Sequence, residues 1–330
     1  MMGATRRADD TAAYRADSSE SWSAPAPGPD VTALLDGDRA PATWQAYRAD
    51  WLAFHTWCRN SKCQPLPADT DTLRAWLHDQ AAAGYAVATI ARRLSVIRQV
   101  HHQHGHASPT DAPAIKAAWR GVRRQLGAAA RKVAPVTVEI LRRMTATCDP
   151  TPAGRRDHAL LVIGFAGALR RSEIAQLTVA DLEVHPSGVV LTIRRSKGDQ
   201  HGAGHRLGLP TGSRLDTCPV RQLRAWTDLA DIVDGPLFRP IDRHGNIAVR
   251  HLSGRAVAEI VKRRARAAGL DPERYSGHSL RAGFATSAAA SGATEIAIAR
   301  QTRHRSMTVL RGYIREGDLF RTNAATTIGL

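Results

Sequence analysis

Aromatic side chains near the start of the chain recur at helical spacing, and this repeat constrains the local fold more than any other feature. The segment Thr43–Arg59 places four of them at i, i+3, i+7 and i+10: Trp44, Tyr47, Trp51 and Phe54. This period puts all four on one face of an α-helix. We interpret the stripe as the core side of a helix rather than as a platform for stacking nucleic acid bases.

Three more segments with helical periodicity follow, and with the first they predict a compact helical bundle. They are Thr70–Ala83, Val87–His102 and Ala112–Leu126. Ahead of the bundle, residues 1–34 are rich in Ala, Ser and Asp and contain the proline-rich stretch Ala24–Asp30. Proline lacks the donor that a helix needs, so we predict a disordered tail over 1–34 and a helical domain over 35–127.

The rest of the chain mixes helices with a small amount of strand. Residues 128–136 are predicted to be a linker, and residues 137–330 a second domain. Two helices are predicted first, Thr137–Thr147 and Arg155–Ala168. Two strands that form a hairpin follow, Gly188–Ile193 and His205–Pro210, and further helices are predicted from Val220 onward. The predicted fold class is therefore mainly α with a small β-sheet (α+β).

Positive charge dominates the chain and is spread over both predicted domains. There are 46 lysine and arginine residues against 30 aspartate and glutamate residues, a net charge of +16. Residues 1–30 carry a net charge of −2, residues 31–134 of +7, and residues 135–330 of +11. Two successive basic segments suit a long polyanion held at two places, which favours nucleic acid as the partner. The alternative from charge alone is a solvated surface rich in arginine.

Several other classes of protein are excluded. The cysteines follow neither a disulfide framework nor a zinc-binding spacing: Cys58, Cys63, Cys148 and Cys218. The longest apolar run, Ala159–Leu169, has 11 residues and is too short to cross a bilayer. The N-terminus lacks the apolar core of a signal peptide. We therefore expect a cytoplasmic protein that is associated with the nucleoid when bound to DNA.

Common catalytic signatures are missing from the sequence. It has no P-loop, no His-Glu-x-x-His, no Gly-x-Ser-x-Gly and no dinucleotide fingerprint. Four histidines lie close together: His101, His102, His104 and His106. They straddle a predicted helix end with no interleaved cysteine or carboxylate, which favours a solvated polar helix terminus over a zinc site.

Six residues of the second domain are suited to catalysis: Arg170, Lys197, His278, Arg281, His304 and Tyr313. Arg170 ends an apolar helix just before another helix begins, and Lys197 lies at the tip of the predicted hairpin. His278 and Arg281 are three residues apart and therefore lie on one face of a helix. The last histidine precedes the tyrosine by nine residues. Taken singly, each has a structural explanation; Arg170, for example, could pair with Glu173.

Together, these residue types suit chemistry at a phosphodiester. Two arginines and a histidine can donate hydrogen bonds to the non-bridging oxygens, whose negative charge grows in the transition state. A lysine on a hairpin can give the alcohol leaving group its proton. A tyrosine, with a free pKa of about 10, attacks once a neighbour such as His278 takes its proton. No acidic cluster suited to Mg²⁺ is visible in the sequence, so we expect covalent catalysis without a metal or other cofactor.

The order and spacing of these residues resemble the tyrosine recombinase/integrase family, with the greatest likeness to Cre-type recombinases of phages and plasmids. The segments Ser276–Arg281 and Tyr313–Arg315 have near counterparts in that group, and the likeness spans about residues 40–320. The resemblance implies an N-terminal, SAM-like core-binding bundle that clamps DNA, followed by a catalytic domain.

The resemblance also implies roles for the site residues. Tyr313 is the nucleophile and forms a 3′-phosphotyrosyl link with the DNA. The phosphate is held by Arg170, Arg281 and His304. Glu173 supports the first of these arginines structurally. The chain is therefore expected to be a site-specific recombinase that cuts and rejoins DNA without metal or ATP.

By the same resemblance, Lys197 protonates the 5′-hydroxyl leaving group and His278 acts as acid and base. Two positions depart from the family pattern. Arg171 lies beside Arg170, and the Arg-x-x-Glu spacing of the family selects Arg170. Arg303 stands where the family usually has glycine before the histidine, and it is expected to move that turn or to add a phosphate contact.

Six residues are predicted to bind DNA: Thr89, Arg92, Arg93, Arg123, Arg124 and Arg255. The first three lie at the start of the third helix, in the region that Cre-like proteins place in the major groove. Arg255 resembles a guanine-reading arginine of that group, and arginine can bond guanine bidentately. Plain phosphate contact is the alternative for Arg255 and for the three residues of the third helix.

The implied partner is double-stranded DNA carrying a specific recombination site. Recombination needs four strand cuts, so we expect a homotetramer on two DNA sites and a monomer or dimer before synapsis. Residues 314–330 are predicted to dock on a neighbouring protomer, and the alternative is that they pack on their own domain or fray. The alternative functions are relaxation of DNA by a type IB topoisomerase-like enzyme and DNA binding with vestigial catalysis.

Overall fold

The computed structural model describes residues 41–127, 133–194, 204–304 and 306–317, together with residue 328. The chain separates into two compact units, residues 1–131 and 132–330. Within the described ranges, no helix is both long and apolar enough to span a membrane. The predicted N-terminal tail, 1–34, lies outside the described residues, as do residues 128–132 of the predicted linker.

The described part of the first unit is a helical bundle of α1 (Pro41–Asn60), α2 (Thr70–Ala82), α3 (Val87–Gln103) and α4 (Pro113–Leu126). The bounds predicted from periodicity agree with these to within two residues. Asp69 caps α2, where its carboxylate accepts the Thr72 amide at 2.7 Å. After α2, Gly84 takes the left-handed conformation (φ 72°), which lets the chain turn toward α3.

The aromatic stripe of α1 forms the centre of the first unit's core. Trp51 and Phe54 are fully buried, and Trp44 and Tyr47 are partly buried against the same cluster. The Phe54 ring meets Trp76 of α2 edge to face, with 5.4 Å between the ring centroids. The interpretation of the stripe as core is therefore confirmed.

The second unit combines helices with a three-stranded antiparallel sheet. Its described elements are α5 (Val138–Ala146), α6 (Pro152–Ala166), α7 (Arg171–Gln176), β1 (Leu182–His185), β2 (Gly188–Ile193), β3 (His205–Pro210), α8 (Pro219–Leu229), α9 (Gly254–Ala267), α10 (Gly277–Ala290), α11 (Glu295–Thr302) and α12 (Met307–Gly317). The predicted fold class, mainly α with a small sheet, is confirmed.

The hairpin predicted from the sequence is the β2–β3 pair, in which Leu191 lies opposite Leu207. The sheet has one strand more than predicted, because β1 pairs with β2 and places Leu182 opposite Leu191. This strand is only four residues long and mostly exposed. An exposed edge strand needs few apolar residues, so its sequence carries little signal.

Helix α6 runs through the middle of the second unit. Leu160, Leu161 and Ile163 are fully buried, and the helix packs on α5, α8 and α10. A helix covered on every side needs apolar residues all round, which accounts for the apolar run Ala159–Leu169. The C-terminal end of α6 leads into the turn that carries Arg170.

Helix α10, which carries Arg281, packs against residues 134–136, which precede α5. The Val136 amide donates to the Ser279 carbonyl at 2.9 Å, and the Ala134 amide donates to the Arg274 carbonyl at 2.7 Å. This close approach depends on Gly283, because a Cβ there would lie 1.8 Å from the Val136 carbonyl oxygen. Two backbone segments meet at this point, and neither can give way as a flexible side chain would.

We expect Gly283→Ala to lower the free energy of unfolding by about 3 kcal/mol, because the added methyl group has to push two backbone segments apart. Urea denaturation followed by circular dichroism measures the loss. Gly312→Ala in α12 is the matched control, since a Cβ there meets nothing within 4 Å. That variant should gain about 0.5–1 kcal/mol from helix propensity, and equal stabilities of the two variants would contradict the argument.

Candidate active site

Arg170 is the N-cap residue of α7, and both its backbone and its side chain are held by Glu173. The Arg170 amide donates to Glu173 Oε2 at 2.8 Å, and its Nη1 donates to Oε1 at 2.6 Å. The Glu173 side chain is 2% exposed, so this carboxylate is committed to protein partners. Arg171, the neighbouring arginine, is exposed. The Arg-x-x-Glu spacing therefore corresponds to a real contact of Arg170.

Arg281 lies on the first turns of α10 and reaches the turn between α6 and α7. Its Nη1 donates to the Ala168 carbonyl at 2.8 Å. The residue is 3% exposed, and among the described atoms its Nη2 has no hydrogen-bond partner. Burial, reinforced by the charges of Arg170 and Arg303, lowers the pKa of the Arg281 guanidinium to about 9. Arg281 therefore remains a cation near neutral pH with a donor to offer.

His304 follows α11, and the hydroxyl of Thr302 sets its tautomer. Thr302 is buried and donates its hydroxyl proton to the Ile298 carbonyl at 2.7 Å. His304 Nδ1 lies 2.7 Å from that hydroxyl oxygen. Because the hydroxyl proton is already used, Nδ1 has to carry the hydrogen of this bond, and the neutral ring keeps its lone pair on Nε2.

The charge state of His304 follows from its surroundings. Burial lowers the pKa of the imidazole to about 4, and the charges of Arg281 and Arg170 act in the same direction. The ring is therefore neutral near pH 7 in the absence of an anion.

We expect His304 to make the fold less stable in acid, because the unfolded chain binds a proton near pH 6.5 and the folded imidazole only near pH 4. The unfolded state holds more protons across this window, so the free energy of unfolding falls as the pH falls. From pH 7.5 to pH 5 the wild type should lose about 1 kcal/mol more than His304→Gln, a value reduced for the half-exposed ring. Urea denaturation at both pH values measures this, with His205→Gln as an exposed control. Identical losses in the wild type and His304→Gln would contradict it.

Tyr313, on α12, lies beside His304. The two ring centroids are 6.0 Å apart, and Tyr313 packs partly buried against a small apolar cluster that includes Ala285, Ile298 and Leu310. Tyr313 is also near enough to Arg281 to offset a small part of the lowering of that guanidinium's pKa. The phenol thus stands next to two of the predicted phosphate-binding groups.

His278 lies in the first turn of α10, three residues before Arg281, and is exposed. It is close enough to His304 to lower the pKa of that imidazole. The second unit therefore brings five of the predicted site residues into one neighbourhood: Arg170, His278, Arg281, His304 and Tyr313. The sixth, Lys197, belongs to the connection between β2 and β3 and lies outside the described residues.

Positive charge is in excess at this site. The guanidiniums of Arg170 and Arg303 share the carboxylate of Glu173, and Arg281 adds a third cation that bonds only a carbonyl among the described atoms. Buried like charges oppose each other, and after burial itself this repulsion is the second cause of the lowered pKa of Arg281. A bound anion would relieve the repulsion, so the site suits an anion such as a phosphodiester.

Comparison with known proteins identifies the family. Residues 136–318 match the phage integrase family, and residues 33–104 match the N-terminal SAM-like domain of phage integrases. The chain belongs to the phage integrase family of tyrosine recombinases. By this membership it is a DNA strand transferase.

Similar proteins agree with this assignment. An integrase/recombinase xerD homolog from Selenomonas ruminantium is 38% identical over 294 residues, which cover 88% of this chain and 86% of the relative. The recombinase cre of Escherichia phage P1 is 25% identical over 299 residues and 84% of each chain. The crystal structure of the XerH site-specific recombinase bound to palindromic difH substrate, a post-cleavage complex, aligns with a TM-score of 0.63 at 18% identity. That alignment covers 87% of this chain and 80% of XerH.

One histidine of the tract, His101, belongs to the core of the first unit, whereas His102 and His106 are exposed. His101 is fully buried: its Nε2 accepts the Ala68 amide at 2.9 Å, and its Nδ1 donates to the Ile97 carbonyl at 2.8 Å. The expectation of a solvated helix terminus is therefore wrong for this histidine. In the part of the chain that the structure describes, no group of three or more histidine, cysteine or carboxylate side chains could hold a metal ion.

The predicted DNA-binding residues of the recombinase differ in exposure. Arg123 and Arg124 are exposed in the last turn of α4, and Arg255 is exposed in the first turn of α9. Thr89 is half-buried at the start of α3. Arg92 is partly exposed and donates to the Asp50 carboxylate at 2.6 and 3.1 Å.

Arg93 requires a correction. Its side chain is only 13% exposed, and it pairs with the buried Asp50 carboxylate at 3.5 Å. It also donates to Gln80 and lies 4.1 Å from the centroid of the Tyr85 ring. These partners hold the guanidinium within the bundle, so the geometry supports a packing role instead of DNA contact. The sequence could not show this, because Asp50 and Arg93 are far apart along the chain.

Arg303 also differs from expectation. Its side chain is 4% exposed and points inward, where Nη2 donates to Glu173 Oε2 at 2.8 Å. Of the two expectations for this arginine, the conformation described does not support the phosphate contact, because the guanidinium bonds protein groups. Its contacts, and the link from Thr302 to His304, are features of the site that sequence reasoning missed. Arg303 caps the C-terminal end of α11, between Thr302 and His304, so the conformation of this helix end determines both features.

Proposed function

We propose that this recombinase cuts and rejoins DNA at a specific site through a 3′-phosphotyrosyl intermediate, without metal or ATP. The observation that carries the proposal is the buried, cation-rich site next to Tyr313. In this site Arg281 Nη2 is free among the described atoms. Family membership supports the reaction class, and the geometry supports the roles given below.

The scissile phosphate is held by Arg170, Arg281 and His304. Arg281 supplies the free Nη2, and Arg170 lies oriented by Glu173. Charge-assisted donors of this kind gain strength as negative charge builds on the non-bridging oxygens in the transition state. An anion beside His304 opposes the effect of the arginines on its pKa, so the ring takes up a proton and donates through Nε2.

The covalent step is an exchange of one phosphoester bond for another. Tyr313 Oη attacks phosphorus and forms the phosphotyrosyl bond, while the bond from phosphorus to the 5′-oxygen breaks. His278 takes the phenol proton, and Lys197 gives a proton to the leaving 5′-oxygen. The phosphotyrosyl ester conserves the energy of the broken bond, so religation by attack of a 5′-hydroxyl needs no nucleotide.

A nicked duplex that contains the native flanking DNA tests the proposal. Wild-type protein should form a covalent adduct that survives SDS and migrates slowly on a gel, and EDTA should not change its yield. Absence of an adduct, or a strict Mg²⁺ requirement, would contradict the proposed chemistry. Relaxation of any supercoiled plasmid without preference for a site would instead indicate a type IB topoisomerase-like activity.

DNA binding is assigned to both units. The predicted contacts best placed to meet a DNA backbone are Arg123, Arg124 and Arg255. All three are exposed, and none of them forms an ion pair with a described carboxylate. Arginine at the surface contributes mainly through phosphate neutralisation and counterion release. We propose that the SAM-like unit and the catalytic unit each bind the duplex, as a clamp formed by domains 35–127 and 137–330.

The active assembly is proposed to be a homotetramer on two DNA sites, linked by residues 314–330. The second unit has an apolar groove of about 450 Å³, whose lining includes Phe165, Phe284 and Ile298. Ile328, the residue described near the C-terminus, is 73% exposed. An exposed isoleucine near the C-terminus of one protomer and an apolar groove on the next suit a head-to-tail contact.

Truncation after Gly317 tests the assembly. The shortened protein should bind a single DNA site as tightly as the full chain, but cooperative binding to two sites and recombination should both fall. Recombination at the full rate would exclude docking of the tail in a neighbouring protomer.

A further inference from the structure

Arg303 has an unusual backbone conformation for a residue with a side chain. It ends α11 with φ 53° and ψ 43°, in the left-handed region that favours glycine. Its side chain, instead of extending into solvent, is almost fully buried. A costly backbone conformation combined with a buried charged side chain persists only where the surroundings over-determine it.

The Arg303 guanidinium bonds the turn that carries Arg170. Its Nη1 donates to the Gly167 carbonyl at 3.3 Å, and its Nη2 donates to the Ala168 carbonyl at 3.3 Å. The Ala168 carbonyl also accepts Arg281 Nη1 at 2.8 Å. One carbonyl thus ties Arg303 to Arg281, in the turn just ahead of Arg170.

Glu173 is the second link. Its Oε2 accepts both the Arg170 amide and Arg303 Nη2 at 2.8 Å, while its Oε1 accepts Arg170 Nη1. Arg303 therefore occupies the side of the carboxylate that the Arg170 guanidinium leaves open. Without Arg303, Glu173 Oε2 would keep the Arg170 amide as a partner but would lose the charged one.

We propose that Arg303 is a positioning residue of the phosphate site, an inference that rests on the proposed function. Through Glu173 and the Ala168 carbonyl it holds Arg170 and Arg281 in their orientation, and through its left-handed backbone it presents His304. Arg303 acts through these groups and does not itself touch the DNA.

Charge favours this role over simple stabilisation of the fold. Arg303 adds a buried cation to a site where Arg170 and Arg281 already repel each other, and only Glu173 offsets it among its hydrogen-bond partners. A buried cation in such surroundings is a poor device for stability alone. Once a phosphate occupies the site, the same excess of positive charge attracts and stabilises it.

Three full-length variants test the inference by single-turnover cleavage of the nicked duplex and by DNA affinity from fluorescence anisotropy. Arg303→Met removes the charge and the donors and keeps the length. Arg303→Lys keeps the charge without the forked geometry. Arg303→Gly removes the side chain but suits the left-handed backbone. Arg171→Met, at the exposed neighbour of Arg170, is the matched control.

We expect Arg303→Met to cleave about 10–100-fold more slowly than wild type, because misplacement of a binding group by about 1 Å has this scale of effect. DNA affinity should stay within about threefold, since the residue does not touch DNA. The lysine variant should recover part of the rate. The glycine variant should be slow although its melting temperature equals or exceeds that of Arg303→Met, and the Arg171→Met control should cleave at the wild-type rate.

Several results would overturn the inference. Cleavage by Arg303→Met within twofold of wild type would do so, and so would full activity of Arg303→Gly. Loss of rate that follows loss of melting temperature across the variants would show a merely structural role. An inactive wild type overturns the proposed function, and this inference with it, whereas an active wild type and an equally active Arg303→Met overturn the inference alone.

Discussion

Tyr313→Phe is expected to bind DNA as tightly as the wild type and to form no covalent adduct at all. The substitution removes only the phenolic oxygen, which the proposed mechanism uses to attack phosphorus. The remaining ring can still pack against Ala285, Ile298 and Leu310 of its present cluster. The nicked duplex followed by an SDS gel measures the adduct, and fluorescence anisotropy measures binding.

Tyr275→Phe is the matched control for this experiment. Tyr275 is a buried tyrosine of the same unit, just ahead of α10, so it reports the general effect of losing a phenol from this part of the fold. The control should keep its adduct. An adduct formed by Tyr313→Phe would show that another side chain is the nucleophile, and the assignment of Tyr313 would be wrong.

Loss of Arg281 should have the second largest effect. We expect Arg281→Ala to slow single-turnover cleavage by about 10²–10³-fold or more, the scale of removing a preorganised donor from a transition state. The residue supplies both a buried positive charge and the free Nη2. Arg170→Ala should lose a similar factor, because its guanidinium is oriented toward the same site by Glu173.

Two further variants make this prediction specific. Arg281→Lys keeps one charge but loses the forked geometry, so it should stay well below the wild-type rate. Arg274→Ala removes an exposed arginine seven residues earlier and should leave the rate unchanged. Cleavage by Arg281→Ala within tenfold of the wild type would show that this arginine does not stabilise the transition state.

Local features of the fold could be predicted from the sequence because they depend on neighbours along the chain. The spacing of aromatic and aliphatic residues predicted the helices of the first unit, and alternation predicted the β2–β3 hairpin. The chemistry of phosphodiester cleavage, with the resemblance to a family, selected six candidate residues in their chain order. The structure places five of them in one neighbourhood, with Lys197 outside the described residues.

Partners that are distant along the chain could not be predicted in the same way. Asp50 binds Arg92 across 42 residues, and Glu173 binds Arg303 across 130. No periodicity relates such positions, because their contact depends on how helices pack after they form. The edge strand β1 was missed for a related reason, since its exposed residues carry no apolar pattern.

The amino-acid sequence by itself determined the helical bundle, the mixed second domain, the basic charge and the chemical types of the site residues. Only the tertiary structure decided which buried arginines bond a carboxylate and which bond a backbone carbonyl. Arg93 and Arg303 are chemically the same as Arg281, yet they bond buried carboxylates. Arg281 instead donates to a backbone carbonyl, that of Ala168. The physical reason is that a guanidinium's role depends on the partners within hydrogen-bond reach, and folding brings those partners from remote parts of the chain.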